Sequence, residues 1–198
     1  MGHRVGRVLI TAEEIAKRIQ ELGGAVTHDY AEKDPVVVGV LQGAVVFLGD
    51  LIRATNIPIT VDFITLSSYG VSTGSSGVVK ITSDLAVSIE NRHVLIVEDI
   101  VDTGHTSHYL RRNLESRRPA SLRLCALLDK AGRRKMEVEI DYVGFSIPNE
   151  FVVGYGLDFM ALYRNLPYIA VLEAEPVGPE ESGLECRRPL QGDGREPA

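Results

Sequence analysis

Val94-Leu95-Ile96-Val97-Glu98-Asp99-Ile100-Val101-Asp102-Thr103-Gly104-His105-Thr106 is the stretch on which the reading of this chain turns. Four apolar residues after His93 predict a strand buried on both faces, the state of a central strand in a parallel sheet. The strand is expected to end on the adjacent carboxylates Glu98 and Asp99. The chain then crosses two apolar residues and turns through Asp102, Thr103, Gly104 and Thr106. A helical pattern through Leu110 and Leu114 follows directly. Carboxylates therefore stand at the carboxyl end of a central strand, where open α/β sheets place ligands. The small hydroxyl-rich turn opens a helix whose free amides attract an anion.

These residue types suit a sugar phosphate. Amides of the turn and the hydroxyls of Thr103 and Thr106 can hold a phosphate, while Glu98 and Asp99 can accept hydrogen bonds from a vicinal diol. No Gly-x-x-x-x-Gly-Lys loop and no dinucleotide Gly-x-Gly-x-x-Gly is present.

With 198 residues the chain can bury one substantial core, and one domain is expected. Its formal charge of −6 argues against a nucleic-acid or anionic-membrane partner. Of the two cysteines, Cys125 lies in an apolar run and Cys186 in a polar tail, which is no disulfide framework and suits a reducing compartment. No signal-peptide core, no bilayer-length apolar run and no myristoylation signal are found, so a cytoplasmic location is expected.

Along the chain, Thr11 and Glu14 form a capping box for a helix with an Ile15, Ile19, Leu22 stripe, expected to stop at Gly23-Gly24. Val36 to Val40 predicts a buried strand running into Leu41-Gln42-Gly43. A second amphipathic helix carries Phe47, Leu48 and Leu51, and Ile59 to Leu66 alternates as a strand. The small, polar run Ser67 to Gly77 is expected to be a mobile loop, either a disordered connection or an active-site lid carrying Ser68 and Tyr69, or else a hairpin with arms that include Val78 to Thr82. Leu122 to Leu128 and Ile140 to Ser146 are further strands, Asp158 to Leu166 a short helix or turn, and Tyr168 to Leu172 a last strand. Residues 1–173 are expected to form the domain and 174–198 a disordered tail, since Pro, Gly, Glu and Arg dominate from Glu173 on. Strands alternating with helices place the chain in the α/β class, with a mostly parallel central sheet flanked by helices and a smaller strand-rich subdomain after Lys130.

The segment from the apolar strand through Glu98-Asp99 to Asp102-Thr103-Gly104-x-Thr106 resembles the phosphoribosyl-pyrophosphate (PRPP) motif of type I phosphoribosyltransferases. Six further stretches resemble one branch, the hypoxanthine-guanine phosphoribosyltransferases, in that family's order: Leu41-Gln42-Gly43, Ser68-Tyr69-Gly70, Leu127-Leu128-Asp129-Lys130, Gly144 to Pro148, Phe151 to Tyr155, and Leu157-Asp158 with Tyr163 to Leu166. The resemblance implies transfer of ribose 5-phosphate from PRPP to a 6-oxopurine, with Mg²⁺ as cofactor, in the type I phosphoribosyltransferase fold with its hood subdomain. It implies that Glu98 and Asp99 hold the ribose hydroxyls directly or through Mg²⁺, and that Asp158 is a metal ligand beside the base. Asp102 is then the general acid/base at the purine's imidazole ring. Thr103, Gly104, His105, Thr106, Gln42, Gly43 and Arg164 bind phosphate or pyrophosphate. Lys130 donates to the exocyclic O6, Phe151 stacks on the base, and the Val152 backbone reads its edge. Gln42 and His105 stand where relatives often carry Lys. The family also implies a homodimer or homotetramer.

Two alternatives stand beside this reading. One is a xanthine- or guanine-preferring transferase. The other is a PRPP-binding regulator on the same fold, disfavoured by the acidic charge and by a lead of only about thirty residues before the first expected strand.

Overall fold

The computed structural model describes residues 3–69 and 78–174. The expected lid residues 70–77, the side chains of Ser68 and Tyr69, and the tail from 175 on, Cys186 included, lie outside the described residues.

The main sheet has the strand order β4-β3-β2-β5-β6-β7. Its members are β2 (Val36–Leu41), β3 (Thr60–Tyr69), β4 (Val78–Ser83), β5 (His93–Val101), β6 (Ser121–Asp129) and β7 (Tyr142–Ser146). All neighbours are parallel except β4, which returns antiparallel along β3. Helix α2 (Val45–Ala54) joins β2 to β3, and α3 (His105–Glu115) joins β5 to β6. The first connection moves toward one edge of the sheet and the second toward the other, so the order reverses between β2 and β5. Their carboxyl ends flank the crevice where an open α/β sheet takes its ligand.

Both faces of this sheet are covered, as the unbroken apolar runs require. Leu95 and Val97 of β5 join Val37 in a core beneath α1 (Ala12–Asp29) and α2, with Ile15, Ile19, Phe47 and Leu51. Val94 and Ile96 point the other way and pack with Leu110 and Leu114 of α3. Each such large aliphatic side chain stabilises the fold by roughly 1.5–3 kcal/mol on burial. Among the described residues, no helix is long and apolar enough to cross a membrane.

Several expectations are corrected. Strand β5 does not stop at the carboxylates: it runs through Glu98 and Asp99 to Val101, because Ile100 and Val101 keep their register with Leu128 and Asp129 of β6. The capping box of α1 is present, with the Thr11 amide donating to Glu14 Oε2 at 2.8 Å and the Glu14 amide to Thr11 Oγ1 at 3.3 Å. Yet α1 passes through Gly23-Gly24 to Asp29, since Gly23 faces Ala54 of α2, and a Cβ there would lie 2.6 Å from the Ala54 Cβ. Glycine here permits close helix packing rather than a stop. Ser67, Ser68 and Tyr69 belong to β3, in register with Lys80, Val79 and Val78, which bears out the hairpin. Ile140 and Asp141 precede β7, whereas Asp158 to Leu166 takes the turn form, one of the two expected for it.

The largest departure lies at the amino terminus. His3–Ile10 is a strand, β1, and it pairs antiparallel with β9 (Ile169–Ala174), which pairs with β8 (Val152–Val153). The small subdomain is therefore a three-stranded sheet β1-β9-β8 built from both ends of the domain. Strand β9 runs on to Ala174, one residue past the expected end of the domain at 173, because it pairs there with His3, and its Glu173 holds Arg4 at 3.0 Å.

Candidate active site

The carboxyl ends of β2 and β5 bound a cavity of about 290 Å³. Glu98 and Asp99 form one wall, Leu41 and Gly43 another, and Asp102, Thr103, Gly104, Thr106 and Ser107 the floor at the amino end of α3. Gly104 caps α3 in the left-handed region at φ +86°, where a Cβ would come within 2.7 Å of the Met136 carbonyl oxygen. A side chain is thus excluded on conformation and on space. No side chain caps α3, so its first-turn amides are left for a ligand. Leu41–Gln42 is a cis peptide bond. Gly43 lies so close to Asp99 that a Cβ would overlap the carboxylate.

Glu98 is 4 % exposed, and its Oε1 has no hydrogen-bond partner. Burial, then the neighbouring Asp99, pushes its carboxyl well above the usual carboxylate range. Asp99 is pushed up to about 6, chiefly by burial; the amide of Ile100, donating to Oδ1 at 2.9 Å, and the Arg164 guanidinium act against this. Buried carboxyls without partners are expensive to keep, and their natural relief is a cation or a set of hydroxyl donors.

A second cavity, of about 320 Å³, adjoins the first and shares Asp99, Ile100 and Asp102 with it. Lys130 and Arg133 line one side, Asn149 to Val152 the other, and Leu157 and Asp158 close it. Lys130 follows β6 immediately, its amide donating to the Val101 carbonyl at 3.0 Å, and only 6 % of it is exposed. Burial lowers its ammonium from the ordinary lysine value, with Asp102 opposing the shift and Arg133 adding to it. The Asp102 carboxylate sits between two cations, with Lys130 Nζ 3.8 Å from Oδ2 and Arg133 Nε 3.3 Å from Oδ1. Phe151 is 54 % exposed and presents a ring at the rim, while Val152 is fixed in β8.

Of the residues read from the sequence, the structure gathers Glu98, Asp99, Asp102, Thr103, Gly104, Thr106 and Gly43 around the first cavity. It gathers Lys130, Phe151, Val152 and Asp158 around the second. Gln42 and His105 are exposed and line neither. Arg164 stands behind Asp158, its Nη2 2.7 Å from Oδ1, with Nη1 donating to the Gly156 carbonyl at 2.6 Å, and it faces a cavity beside α1 and α2. Arg133, Asn149 and Glu150 also line the second cavity, beyond the residues read from the sequence. For Arg133 a signal existed, a cation three residues after Lys130 in a short turn.

Among the described residues no three His, Cys, Asp or Glu side chains converge as a ready-made metal site. The donor set nonetheless fits a hard cation: oxygen-only carboxylates, an unpartnered buried Glu98 Oε1, and a Gly43 that leaves room beside Asp99. Mg²⁺ commonly takes one or two protein carboxylates and fills the rest with water and substrate phosphate.

The family described as "Phosphoribosyl transferase domain" matches residues 9–160. The hypoxanthine-guanine phosphoribosyltransferase of Bacillus subtilis (strain 168) is 48% identical over 173 residues, covering 87% of this chain and 96% of that protein. The bifunctional protein TilS/HprT of Listeria monocytogenes serotype 4b is 49% identical over 175 residues, 88% of this chain; the chain spans only 27% of that protein's length. A crystal structure of a hypoxanthine phosphoribosyltransferase from Staphylococcus aureus superposes with a TM-score of 0.82 at 48% identity, covering 85% of this chain and 92% of that one.

Proposed function

Because the chain belongs to the phosphoribosyltransferase family, and within it to the hypoxanthine-guanine branch, we propose that it transfers ribose 5-phosphate from PRPP to a 6-oxopurine in purine salvage. The observation that carries this is the junction of the two cavities at Asp99 and Asp102. One side offers amides, hydroxyls and diol acceptors, and the other a buried ammonium and an exposed aromatic face.

In this reading the 5-phosphate lies on the amino end of α3, held by the free amides and by Thr103 and Thr106. Glu98 and Asp99 orient the ribose hydroxyls. An imidazole nitrogen of the base bonds to the anomeric carbon as the bond to pyrophosphate breaks, the pyrophosphate leaving with the electron pair. The proton the imidazole ring gives up passes to Asp102, which stands where both cavities open. Phe151 lies on the purine face. Lys130 donates to O6, and an adenine amino group placed there would leave this buried cation without an acceptor. Glu98, Asp99 and Asp158 would hold Mg²⁺, which when bound supplies positive charge to the leaving pyrophosphate. Gln42 and His105 act through their main chain, and Arg164 steadies Asp158 and offers charge toward the pyrophosphate. Ser68 and Tyr69, at the end of β3 next to residues 70–77, serve as the lid that keeps water from PRPP.

The same proposal includes a homodimer or homotetramer. It also includes a cytoplasmic setting without nucleic-acid or membrane partners, supported by the buried free thiol of Cys125 and the charge of −6.

The test is direct. Incubation with PRPP, Mg²⁺ and hypoxanthine, guanine, xanthine or adenine in turn should yield nucleoside monophosphate from the 6-oxopurines and little from adenine. Asp102→Asn should lower kcat by about 10²–10⁴, the range of general acid–base catalysis, while KM for PRPP stays within a few-fold. Near-normal turnover in that variant would remove Asp102 from the mechanism, and no transfer to any base would remove the activity.

A further inference from the structure

We propose that the N-terminal strand β1 is a positioning element for the purine, acting through Phe159 and Glu150 on the ring of Phe151. The inference rests on the reading of the second cavity as the base site.

Phe151 has an anchored backbone and an exposed side chain. Its carbonyl accepts from the Leu172 amide at 2.8 Å, and Val152 next to it pairs with Val171. The ring itself projects into solvent at the cavity rim. A phenyl group left there free to rotate would lose that freedom when a base stacked on it, and affinity would fall accordingly. Phe159 supplies the missing support: the two rings meet nearly perpendicular, at 89°, with centroids 5.7 Å apart. Phe159 is in turn set in a tight turn, exchanging backbone hydrogen bonds with Leu162 at 3.2 and 3.0 Å.

Phe159 also touches β1. The His3 ring lies 4.6 Å from it, tilted by 44°. Further along the same strand, Arg7 Nη2 sits 2.6 Å from both carboxylate oxygens of Glu150, the residue preceding Phe151. Strand β1 thus reaches the base rim on both sides of Phe151, once through an aromatic contact and once through an ion pair. Its own place is fixed by its ladder with β9, where Arg4 opposes Glu173 and Val5 opposes Leu172. None of these residues faces the PRPP cavity, so their effect should fall on the base alone.

Steady-state kinetics with hypoxanthine and PRPP varied separately test this. Phe159→Ala should raise KM for hypoxanthine by about 2- to 12-fold, the ratio equivalent to an edge-to-face aromatic pair of about 0.5–1.5 kcal/mol. KM for PRPP and kcat should stay within about two-fold, and Phe159→Tyr should behave as the parent. His3→Ala, at the exposed start of β1, should raise the same KM less, and should add nothing in the Phe159→Ala background. Should Phe159→Ala fail to fold, His3→Ala and Arg7→Ala carry the test: each raises KM for hypoxanthine and leaves KM for PRPP within about two-fold. An unchanged KM for hypoxanthine in these variants, or equal losses toward both substrates, would overturn the inference while leaving the activity standing. A parent protein that transfers to no purine would overturn the reading of the cavity itself.

Discussion

Replacing Asp99 by Asn should make the ligand-free protein more stable at neutral pH. Burial raises the Asp99 carboxyl from an ordinary 3.8 to about 6, and Asp158 adds to the effect, although two backbone amides and Arg164 oppose it. The folded state therefore favours the protonated form. Its contribution to stability is fully present below the unfolded value of 3.8 and is lost as pH rises through about 6. At 1.36 kcal/mol per pH unit, this loss amounts to about 3 kcal/mol above neutrality. Asparagine keeps an oxygen to accept the Ile100 amide, which donates at 2.9 Å, but it carries no charge to desolvate. Urea unfolding at 25 °C in metal-free buffer measures the difference. With a slope of about 2 kcal/mol per molar, the midpoint of Asp99→Asn at pH 7.5 should lie about 1–1.5 M above the parent's. At pH 3.5 the two should coincide. Other carboxyls, Asp29 and Asp84 among them, are shifted downward by their partners and shape the absolute profile oppositely, so the difference between variants is the quantity to read. No gain at pH 7.5, or a gain that persists unchanged at pH 3.5, would refute the reasoning. The variant should also lose most of its response to PRPP with Mg²⁺, seen as a smaller ligand-induced rise in Tm.

Lys130→Ala should lower kcat/KM for hypoxanthine by about 10- to 100-fold, the equivalent of one charged hydrogen bond, while the poor rate with adenine changes little. Gly43→Ala, whose new methyl would overlap the Asp99 carboxylate, should raise KM for PRPP by about ten-fold or more with the Tm nearly unchanged. The adjacent glycines of α1 should respond with opposite signs in thermal melts. Gly24→Ala meets no atom within 4 Å and should stabilise by about 0.5–1 kcal/mol, whereas Gly23→Ala would push into Ala54 and cost about 1–3 kcal/mol.

What the sequence made legible was chiefly local. The runs Val94-Leu95-Ile96-Val97 and Leu122 to Leu128 read as strands covered on both faces, and the turn Asp102 to Thr106 as the opening of a helix; the structure has both. Two kinds of feature were hidden. Strand β1, with Arg4, Gly6 and Arg7 interrupting its apolar residues, shows no clean alternation, because its bulged register with β9 breaks the period and one face stays in solvent. Gly23-Gly24 reads as a stop from propensity alone, and only contact with α2 explains why the helix continues. The site followed the same division. Lys130 and the carboxylates were readable from a motif, while Arg133 and Glu150 matter through partners, Asp102 and Arg7, that no local pattern announces.

Strand β1, the larger of these hidden features, bears on how the proposed site divides its work. The half proposed to carry the reaction lies at the reversal between β2 and β5, where two crossovers leave in opposite directions and no neighbouring strand end can fill the gap. Such a gap tolerates Glu98 and Asp99, whose burial disfavours their charged forms, a penalty that a bound cation and diol would offset. In the half proposed to recognise the base, Lys130 is buried in the second cavity, but Phe151 projects at its rim beside a small sheet. It must be supported from outside, and β1 is the element that reaches it. Substitutions in the central motif should therefore trade stability against PRPP and turnover. Substitutions in β1 should change the affinity for the base while leaving the chemistry intact.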